Sequence, residues 1–241
     1  MNISLTGFAG SGKSTVAKYI ESNYNFKEFA LADKLKQLTY KLLKLFNIQI
    51  NSIDDLYNVE TKNKYRSYLQ QIGTECCRSI FGNDFWCEML NDAIVENHKN
   101  IVNSVISDIR FKNEYDYFAN SDYPSVCIKI TGRKFDKNES QIYSHSSELD
   151  IDNIHYDYLI NNDSTFDELY KQVDEIMKDL MSKYEQYVKR SKILNDIVDN
   201  VLKNSIESND TINTTNTTNE NDLTNSINQI KLEIQHNEQI N

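Results

Sequence analysis

The chain has 241 residues, of which 26 are lysine or arginine and 36 are aspartate or glutamate, so its net charge at neutral pH is −10. This length suits one domain of ordinary size with an appendage. A strongly acidic protein is a poor candidate for sequence-independent binding to nucleic acid, which depends on neutralising phosphates with cationic side chains. The net negative charge does not exclude binding of small anionic ligands, because a local cationic pocket can exist on an acidic protein.

Short apolar runs alternate with segments of helical periodicity along most of the chain. The strands are predicted at residues 1–5, 26–30, 101–107, 126–130 and 158–160. The helices are predicted at residues 13–22, 33–46, 61–80, 84–96, 113–118 and 165–187. Asp33 is the N-cap expected for the second helix. Strands that alternate with helices predict an α/β fold, in which a parallel sheet is flanked by helices on both faces.

Two segments depart from that alternation. A polar segment without apolar periodicity separates the last two predicted strands, and we predict a lid loop there over about residues 131–148. Beyond about residue 191 the chain becomes rich in asparagine and threonine, with five of each in residues 209–221. We predict a disordered tail over residues 191–241, with weak helix at 193–202 and 226–234, because such a composition buries little apolar surface. The folded domain is then expected to span residues 1–185.

The cysteines and the N-terminus indicate the compartment. The four cysteines contain no C-x-x-C pair, which predicts reduced thiols and no zinc site. The N-terminus lacks the apolar region of a signal peptide, and no apolar run approaches the ~18 residues of a membrane span. We therefore expect a cytoplasmic protein that does not bind a membrane.

The strongest motif is a phosphate-binding loop at residues 7–14 (GFAGSGKS), which matches G-x-x-x-x-G-K-[ST] between a predicted strand and a predicted helix. Glycines let consecutive backbone N–H groups approach phosphate oxygens, and the helix N-terminus adds partial positive charge. We expect Lys13 to reach the β- and γ-phosphates of ATP and the Ser14 hydroxyl to ligate Mg²⁺. The residues predicted to bind ATP here are Gly7, Ala9, Gly10, Ser11, Gly12, Lys13, Ser14 and Thr15.

Charged residues near the predicted strand ends are candidates for the rest of the site. Asp108 and Arg110 follow the strand 101–107, and ligands of open α/β sheets bind beyond the carboxyl ends of strands. We expect Asp108 to hold Mg²⁺ through water or to orient the acceptor, with capping of a helix or turn as the alternative. The chain has only five arginines against 21 lysines, so an arginine here is expected to grip phosphate or carboxylate. The alternative for such an arginine is an ordinary ion pair, such as Glu75 with Arg78.

Several segments resemble a known family. Residues 65–75 (YRSYLQQIGTE), then Arg78 and residues 82–86 (GNDFW), resemble the R-x-x-L-Q-x-x-G-T-E…R…G-x-D-x-W block of viral deoxynucleoside monophosphate kinases. Further similar segments, in the expected order, are residues 107–114 (SDIRFKNE), 145–148 (HSSE), 159–163 (LINND) and 166–169 (FDEL). The resemblance covers about residues 1–180.

This resemblance implies a P-loop NTPase fold with an acceptor-binding helical insert, and transfer of phosphate from ATP to deoxynucleoside monophosphates. It implies that Arg110 and Arg133 neutralise charge between the two phosphates, in a catalytic group with Lys13 and Asp108. It also implies that residues 161–163, with Asn161 first among them, border the adenine pocket. The acceptor site would comprise Leu35, Lys36, Arg66, Gln70, Gly73, Thr74, Arg78, Trp86 and Glu148. Arg78 and Glu75 would also support the helix that they share. The implied partners are the acceptor nucleotides and, as one alternative, a second copy of the chain.

Two other functions stay open on the sequence. A P-loop kinase of another small phosphorylated metabolite, such as phosphomevalonate or dephospho-coenzyme A, would share the loop, the strand-end acid and the lid. A nucleotide-binding switch would share only the loop. No N-K-x-D segment for reading guanine is found, and a switch would leave residues 65–86 unexplained.

Overall fold

The computed structural model describes residues 1–132 and 150–209, and within these ranges it describes the side chains of all except residues 59 and 194–209. The chain divides into two units, Met1–Met177 and Lys178–Asn241. Nearly all of the lid predicted over residues 131–148 therefore lies outside the described residues, as do the candidate residues Arg133 and Glu148.

The first unit is built on a parallel sheet with the strand order β2-β3-β1-β4-β5. The strands are β1 (Asn2–Thr6), β2 (Phe26–Phe29), β3 (Asn103–Ile109), β4 (Ser125–Gly132) and β5 (Tyr158–Asn162). All four neighbouring pairs are parallel. The central strand β1 is buried along its whole length, as its short apolar run predicts. The predicted α/β fold is confirmed.

Helices connect and cover these strands. They are α1 (Lys13–Asn23), α2 (Leu31–Leu45), α3 (Val59–Lys62), α4 (Arg66–Gln70), α5 (Ser79–Phe81), α6 (Phe85–Lys99), α7 (Lys112–Ala119) and α8 (Phe166–Asn209). The chain moves one way across the sheet from β1 to β2 and the opposite way from β2 through β3 to β4. Because parallel crossovers are right-handed, α1 lies on one face while α6 and α7 lie on the other.

Each face of the sheet has its own packing. On the face of α6 and α7, a buried cluster joins Ile106 of β3, Cys127 of β4, Leu90 of α6 and Phe118 of α7. On the other face, α1 contacts the first part of α8, where the rings of Tyr19 and Tyr170 stack with centroids 4.2 Å apart. Both layers leave the carboxyl ends of the strands open for the loops that follow them.

Two helix predictions were wrong. The second helix begins at Leu31 with Ala30 as its N-cap, so Asp33 lies in the first turn and does not cap the helix. The single helix predicted over residues 61–80 is a succession of short turns: α3, a 3₁₀ turn at Asn63–Tyr65, α4, a π-helical stretch at Gln71–Arg78, and α5. The physical reason for the 3₁₀ turn is tertiary, because it places Tyr65 in a buried cluster with Leu43, where its hydroxyl donates to the carbonyl of Gln49 at 2.8 Å.

Helix α8 is longer than predicted, since it continues from Phe166 to Asn209 and enters the second unit. Within the second unit, Lys183 pairs with Asp179 at 2.8 Å across one turn of the helix. Residues 191–209, which were assigned to the tail, are helical, and the rest of that tail lies outside the described residues. Among the helices that the structure describes, none combines the length and the apolar character that crossing a membrane requires.

Candidate active site

The loop between β1 and α1 has a backbone that only glycine adopts easily. Gly7, Gly10 and Gly12 have φ angles of 143°, 76° and 106°. Gly7 is also crowded, because a Cβ atom there would lie 2.2 Å from the carbonyl oxygen of Ile130 in β4. A side chain at this position would displace the loop from the sheet, so the first glycine of the motif is needed for space as well as for conformation.

Lys13 begins α1 and is held inside the loop. Its side chain is nearly buried, with 7% of the residue exposed, and its ammonium donates to the carbonyl oxygens of Gly7 at 2.5 Å and Phe8 at 2.8 Å. Ser14, the next residue, is exposed at the first turn of the helix. The two side chains assigned to phosphate and Mg²⁺ are therefore adjacent at the N-terminus of α1, where the helix dipole favours anions.

The ends of β4 and β5 hold the loop from the other side. The side-chain amide of Asn162 donates to the carbonyl of Ser11 at 2.9 Å. A Cβ on Gly12 would lie 2.4 Å from that amide nitrogen, and a Cβ on Gly132 would lie 3.1 Å from the backbone of Ser11. The sequence analysis assigned residues 161–163 to the edge of the adenine pocket and did not predict this contact of Asn162 with the loop. The alternation of side chains along β5 was the available signal, since consecutive residues of a strand point to opposite faces.

Asn161 is exposed beside the loop, at the end of β5. Its side-chain amide donates to Asp163 at 2.8 Å, and Gln172 of α8 binds both its backbone N–H and its carbonyl at 3.0 Å. These contacts fix the backbone at the position where the adenine pocket was predicted. Contact with adenine stays a prediction.

Asp108 joins the end of β3 to the start of α2. Its two carboxylate oxygens accept from the backbone N–H groups of Leu31 at 2.8 Å and Ala32 at 2.9 Å. This is the capping that the sequence left as the alternative, and it is strengthened by the positive end of the helix dipole. Its role toward Mg²⁺ stays a prediction.

Arg78 and Glu114 form a buried ion pair beneath the site. Their side chains are 8% and 5% exposed. The guanidinium also donates to the carbonyl of Asn83 at 3.0 Å and lies over the ring of Phe111. Arg78 pairs with Glu114 rather than with Glu75, because the π-helical stretch turns Arg78 toward the core. Since its guanidinium is engaged by these protein groups, we treat Arg78 as a support of the site.

Glu114 also binds the backbone of Arg110. Its second oxygen accepts from the backbone N–H groups of Arg110 at 2.7 Å and Phe111 at 3.1 Å, as expected of a glutamate at the third position of a helix. Burial raises the pKa of Glu114, whereas the charge of Arg78 and the N–H of Arg110 lower it. The backbone around Arg110 is thus fixed by the Glu114 carboxylate, whose charge is in turn neutralised by Arg78.

The acceptor-side residues meet where α2, the π-helical stretch and α6 pack. The indole N–H of Trp86 donates to the carbonyl of Gly73 at 3.0 Å. A Cβ on Gly73 would lie 2.8 Å from a methyl group of Leu35, so a side chain there would require Leu35 to shift. The structure therefore brings together Leu35, Gly73 and Trp86, with Gln70 and Thr74 half-buried on the same helical segment.

A group of cationic side chains surrounds the same region. Lys36 of α2 is 12% exposed, lies 3.2 Å from Asp33 and stands over the ring of Tyr57. Burial raises the pKa of Tyr57 to about 12, and Asp33 adds to this shift. Burial lowers the pKa of Lys62, and the charges of Lys36, Arg110 and Arg66 lower it further, against the opposing effect of Asp108. The site candidates Lys36, Arg66, Arg110 and Asp108 thus all affect the charge of Lys62, which is exposed and which the sequence analysis did not name.

The oxygen donors present fit Mg²⁺, which favours one or two protein oxygen ligands completed by phosphates and water. Ser14 and Asp108 supply a hydroxyl and a carboxylate. Within the described residues, no group of three or more histidine, cysteine or acidic side chains is arranged to hold a metal by itself.

A phosphate-binding loop on a parallel sheet, with a second cationic region at the same strand ends, defines a P-loop kinase. A family model of deoxynucleotide monophosphate kinase matches residues 39–173. A protein of Acanthamoeba polyphaga mimivirus, provisionally named a deoxynucleotide monophosphate kinase, is 30% identical over 190 residues, which are 71% of this chain and 93% of the relative. The chain belongs to the deoxynucleotide monophosphate kinase family, and it is therefore a phosphotransferase.

Solved structures show a more distant similarity. TT1252 from Thermus thermophilus is 14% identical with a TM-score of 0.44, covering 76% of this chain and 97% of that protein. The dephospho-CoA kinase from Campylobacter jejuni is 16% identical with a TM-score of 0.42, covering 76% of this chain and 98% of that protein. With TM-scores below 0.5, these similarities carry no argument about the substrate.

Proposed function

We propose that this chain uses ATP and Mg²⁺ to convert deoxynucleoside monophosphates to diphosphates, in the supply of nucleotides for DNA synthesis. The observation that supports this most is the pair of anion sites at one end of the sheet. The loop around Lys13 serves a triphosphate, and the group of Lys36, Arg66 and Arg110 serves a second phosphate. We place the reaction in the cytoplasm, for a viral protein that of the host, since nucleotide pools are held there.

In this reaction an oxygen of the acceptor phosphate attacks the γ-phosphorus of ATP. The bond from that phosphorus to the oxygen bridging the β- and γ-phosphates breaks, and ADP leaves. The acceptor phosphate is already ionised near neutral pH, so the protein needs no strong general base. Its contribution is to position the two phosphates in line and to stabilise the charge that spreads over the transferred group.

Named residues carry these tasks in our proposal. Lys13 leaves the loop carbonyls to meet the β- and γ-phosphates, and Arg110 stabilises charge between donor and acceptor. Ser14 and Asp108 would hold Mg²⁺, which when bound neutralises phosphate charge. Arg133 is assigned beside Arg110, and Glu148 is assigned to the acceptor.

The bases of the two nucleotides are assigned to opposite sides of these phosphates. Asn161 would border the adenine of ATP. The packed surface of Leu35, Gly73 and Trp86, with Gln70 and Thr74, would face the acceptor nucleoside.

The test is an acceptor panel with ATP and Mg²⁺, read by ADP release. The panel contains the four deoxynucleoside monophosphates, AMP, GMP, phosphomevalonate and dephospho-coenzyme A. We expect turnover with at least one deoxynucleoside monophosphate and none with the last two. Turnover with only one of those metabolites, or hydrolysis of GTP without transfer to any acceptor, would refute the proposal.

Two variants test the roles assigned to individual residues. We expect Lys13→Ala and Arg110→Ala each to abolish transfer while circular dichroism shows a folded chain, because loss of one transition-state arginine lowers the rate by about 10³-fold or more. Near-normal turnover in either folded variant would contradict that variant's assigned role.

A further inference from the structure

Asn162 connects the end of β5 to the phosphate-binding loop. Its side-chain amide donates to the carbonyl oxygen of Ser11 at 2.9 Å, across 151 residues of sequence. The backbone N–H of Ser11 donates to the carbonyl of Phe8 at 3.1 Å, whereas the buried Ser11 hydroxyl has no hydrogen-bond partner among the described residues. The loop is therefore held at Ser11 through its backbone, and Asn162 supplies a contact from outside the loop.

The bond from Asn162 fixes the orientation of one peptide group. The C=O of Ser11 and the N–H of Gly12 belong to the same planar trans peptide unit, so they point in opposite directions. Because the carbonyl is held towards the end of β5, the N–H of Gly12 points away from that strand. Gly12 has a φ angle of 106° and no side chain to restrict rotation of its backbone, so this orientation depends on contacts such as the one with Asn162.

Gln172 of α8 fixes the strand that carries Asn162. β5 is an outer strand of the sheet, and the free edge of such a strand exposes unpaired backbone N–H and C=O groups. The side-chain amide of Gln172 pairs with both groups of Asn161, accepting from the N–H at 3.0 Å and donating to the carbonyl at 3.0 Å. Gln172 thus takes the place of a neighbouring strand at the residue next to Asn162.

The position of Gln172 is set by the packing of α8 on α1. The residue after it, Val173, is 1% exposed, and the ring of Tyr170 stacks on that of Tyr19 with centroids 4.2 Å apart. The carboxylate of Asp174 accepts from the Tyr19 hydroxyl at 3.0 Å. Since α1 begins at the phosphate-binding loop, α8 supports this loop both through α1 and through the end of β5.

We propose that Asn162 and Gln172 are positioning residues for ATP, which keep the N–H of Gly12 directed at its phosphates. Asn162 orients the peptide between Ser11 and Gly12, and Gln172 holds the backbone from which Asn162 projects. Rotation of that peptide would turn the carbonyl oxygen of Ser11 towards the phosphates and repel them. The apparent affinity for ATP then falls with the fraction of chains whose loop has the correct orientation. This inference rests on the proposed use of ATP and deepens it.

The test is calorimetric titration of the full chain with ATP and Mg²⁺, beside kinetics. Asn162→Ala should weaken ATP binding roughly 10-fold and Gln172→Leu roughly 3- to 10-fold, the factors expected for lost hydrogen bonds. The control Gln186→Leu makes the same exchange at an exposed position of the same helix and should keep the wild-type affinity. The KM for the acceptor should stay at its wild-type value in all three variants, because only the ATP loop is affected.

The double variant shows whether Gln172 acts through Asn162. Asn162→Ala combined with Gln172→Leu should bind ATP no more weakly than Asn162→Ala alone, since Gln172 has nothing left to position once the Asn162 amide is gone. Losses that multiply in the double variant would overturn the role of Gln172. Wild-type ATP affinity in folded Asn162→Ala would overturn the role of Asn162.

Gln172→Glu provides a pH profile that a loss of packing would not produce. Its ionised carboxylate can accept from the N–H of Asn161 but repels the carbonyl, whereas the protonated acid has the acceptor and the donor of the original amide. An ordinary glutamate takes up this proton near about pH 4.3, and one that faces a carbonyl oxygen takes it up at higher pH. The ATP affinity of Gln172→Glu, relative to the wild-type chain at the same pH, should therefore improve from about pH 7.5 to about pH 5. A ratio that stays constant, as expected for Gln172→Leu, would contradict the hydrogen-bonding role.

These outcomes are distinct from failure of the proposed function. Unchanged ATP affinity in folded Asn162→Ala and Gln172→Leu, with phosphate transfer by the wild-type chain, would overturn the inference and uphold the function. A wild-type chain that binds ATP but transfers phosphate to no deoxynucleoside monophosphate would refute the function, while the binding data on the variants still decide the inference. A wild-type chain that does not bind ATP would overturn both.

Discussion

The buried pair of Arg78 and Glu114 offers a quantitative test of how this site is supported. In Arg78→Met the cation is lost, while Glu114 keeps its place in the core and its hydrogen bonds to the amides of Arg110 and Phe111. The carboxylate then lacks the charge that offsets its burial, because its side chain is only 5% exposed. Methionine preserves much of the apolar stem, so the change chiefly removes the charge.

The expected loss follows from the contacts. Removing one partner of a buried ion pair destabilises a protein by about 3–5 kcal/mol, since an uncompensated charge remains in the core. For a domain of this size each kcal/mol lowers the melting temperature by about 2–4 °C, so we expect a decrease of about 6–20 °C. Without Arg78 the pKa of Glu114 rises further above its unfolded value. A carboxyl group with a raised folded pKa loses stability as the pH rises, so the deficit should be larger at pH 7 than at pH 5.

The assay is thermal unfolding of the wild-type chain, Arg78→Met, Glu114→Gln and the double variant at both pH values. The double variant should recover part of the stability lost in Arg78→Met, because a neutral glutamine keeps hydrogen-bonding capacity without a buried charge. The reasoning would be refuted if Arg78→Met lowered the melting temperature by less than about 2 °C, the size expected of a surface pair.

Two further predictions concern the phosphate loop and His98, whose ring contacts Asn2 at the start of the central strand β1. Gly7→Ala should weaken ATP binding at least ~10-fold in calorimetry, because its Cβ would press on the carbonyl of Ile130. The control Gly82→Ala also has a strained φ but open space around the new Cβ, so its affinity for ATP should stay unchanged. Equal ATP affinities of the two variants would contradict the prediction. Burial and the nearby Met1 ammonium lower the pKa of His98 to about 4. The unfolded chain therefore takes up this proton first as the pH falls, and stability should decline between about pH 6.5 and 4. In His98→Asn the melting temperature should fall less steeply with decreasing pH over that range than in the wild-type chain. Equal slopes in the two chains would contradict the prediction.

Residues of the phosphate loop were predictable because their chemistry is local. The motif around Lys13 requires glycines at fixed spacing next to one strand and one helix, all within about twenty residues. The parallel sheet was likewise predictable, since each strand is a short apolar run between helical segments. The residues at which helices and strands begin and end were less predictable, and α2 shows why. The side chain that accepts from its first two N–H groups is that of Asp108, 77 residues from Leu31, so no local pattern contains it.

The acceptor side shows a different limit. The block of residues 65–86 indicated the family, but it did not reveal that Arg78 faces Glu114. The π-helical stretch Gln71–Arg78 changes which residues share a face, and a regular period of 3.6 residues does not anticipate that change.

By itself the sequence predicted the phosphate-binding loop, the alternation of strands with helical segments, and the family, since each of these depends on neighbouring residues. Tertiary structure alone decided which charged groups pair within the protein. Glu114 and Asp108 reach across the fold to bind Arg78 and the start of α2, which lie 36 and 77 residues away along the chain. Electrostatic interactions depend on distance in space, and folding sets that distance independently of separation along the chain.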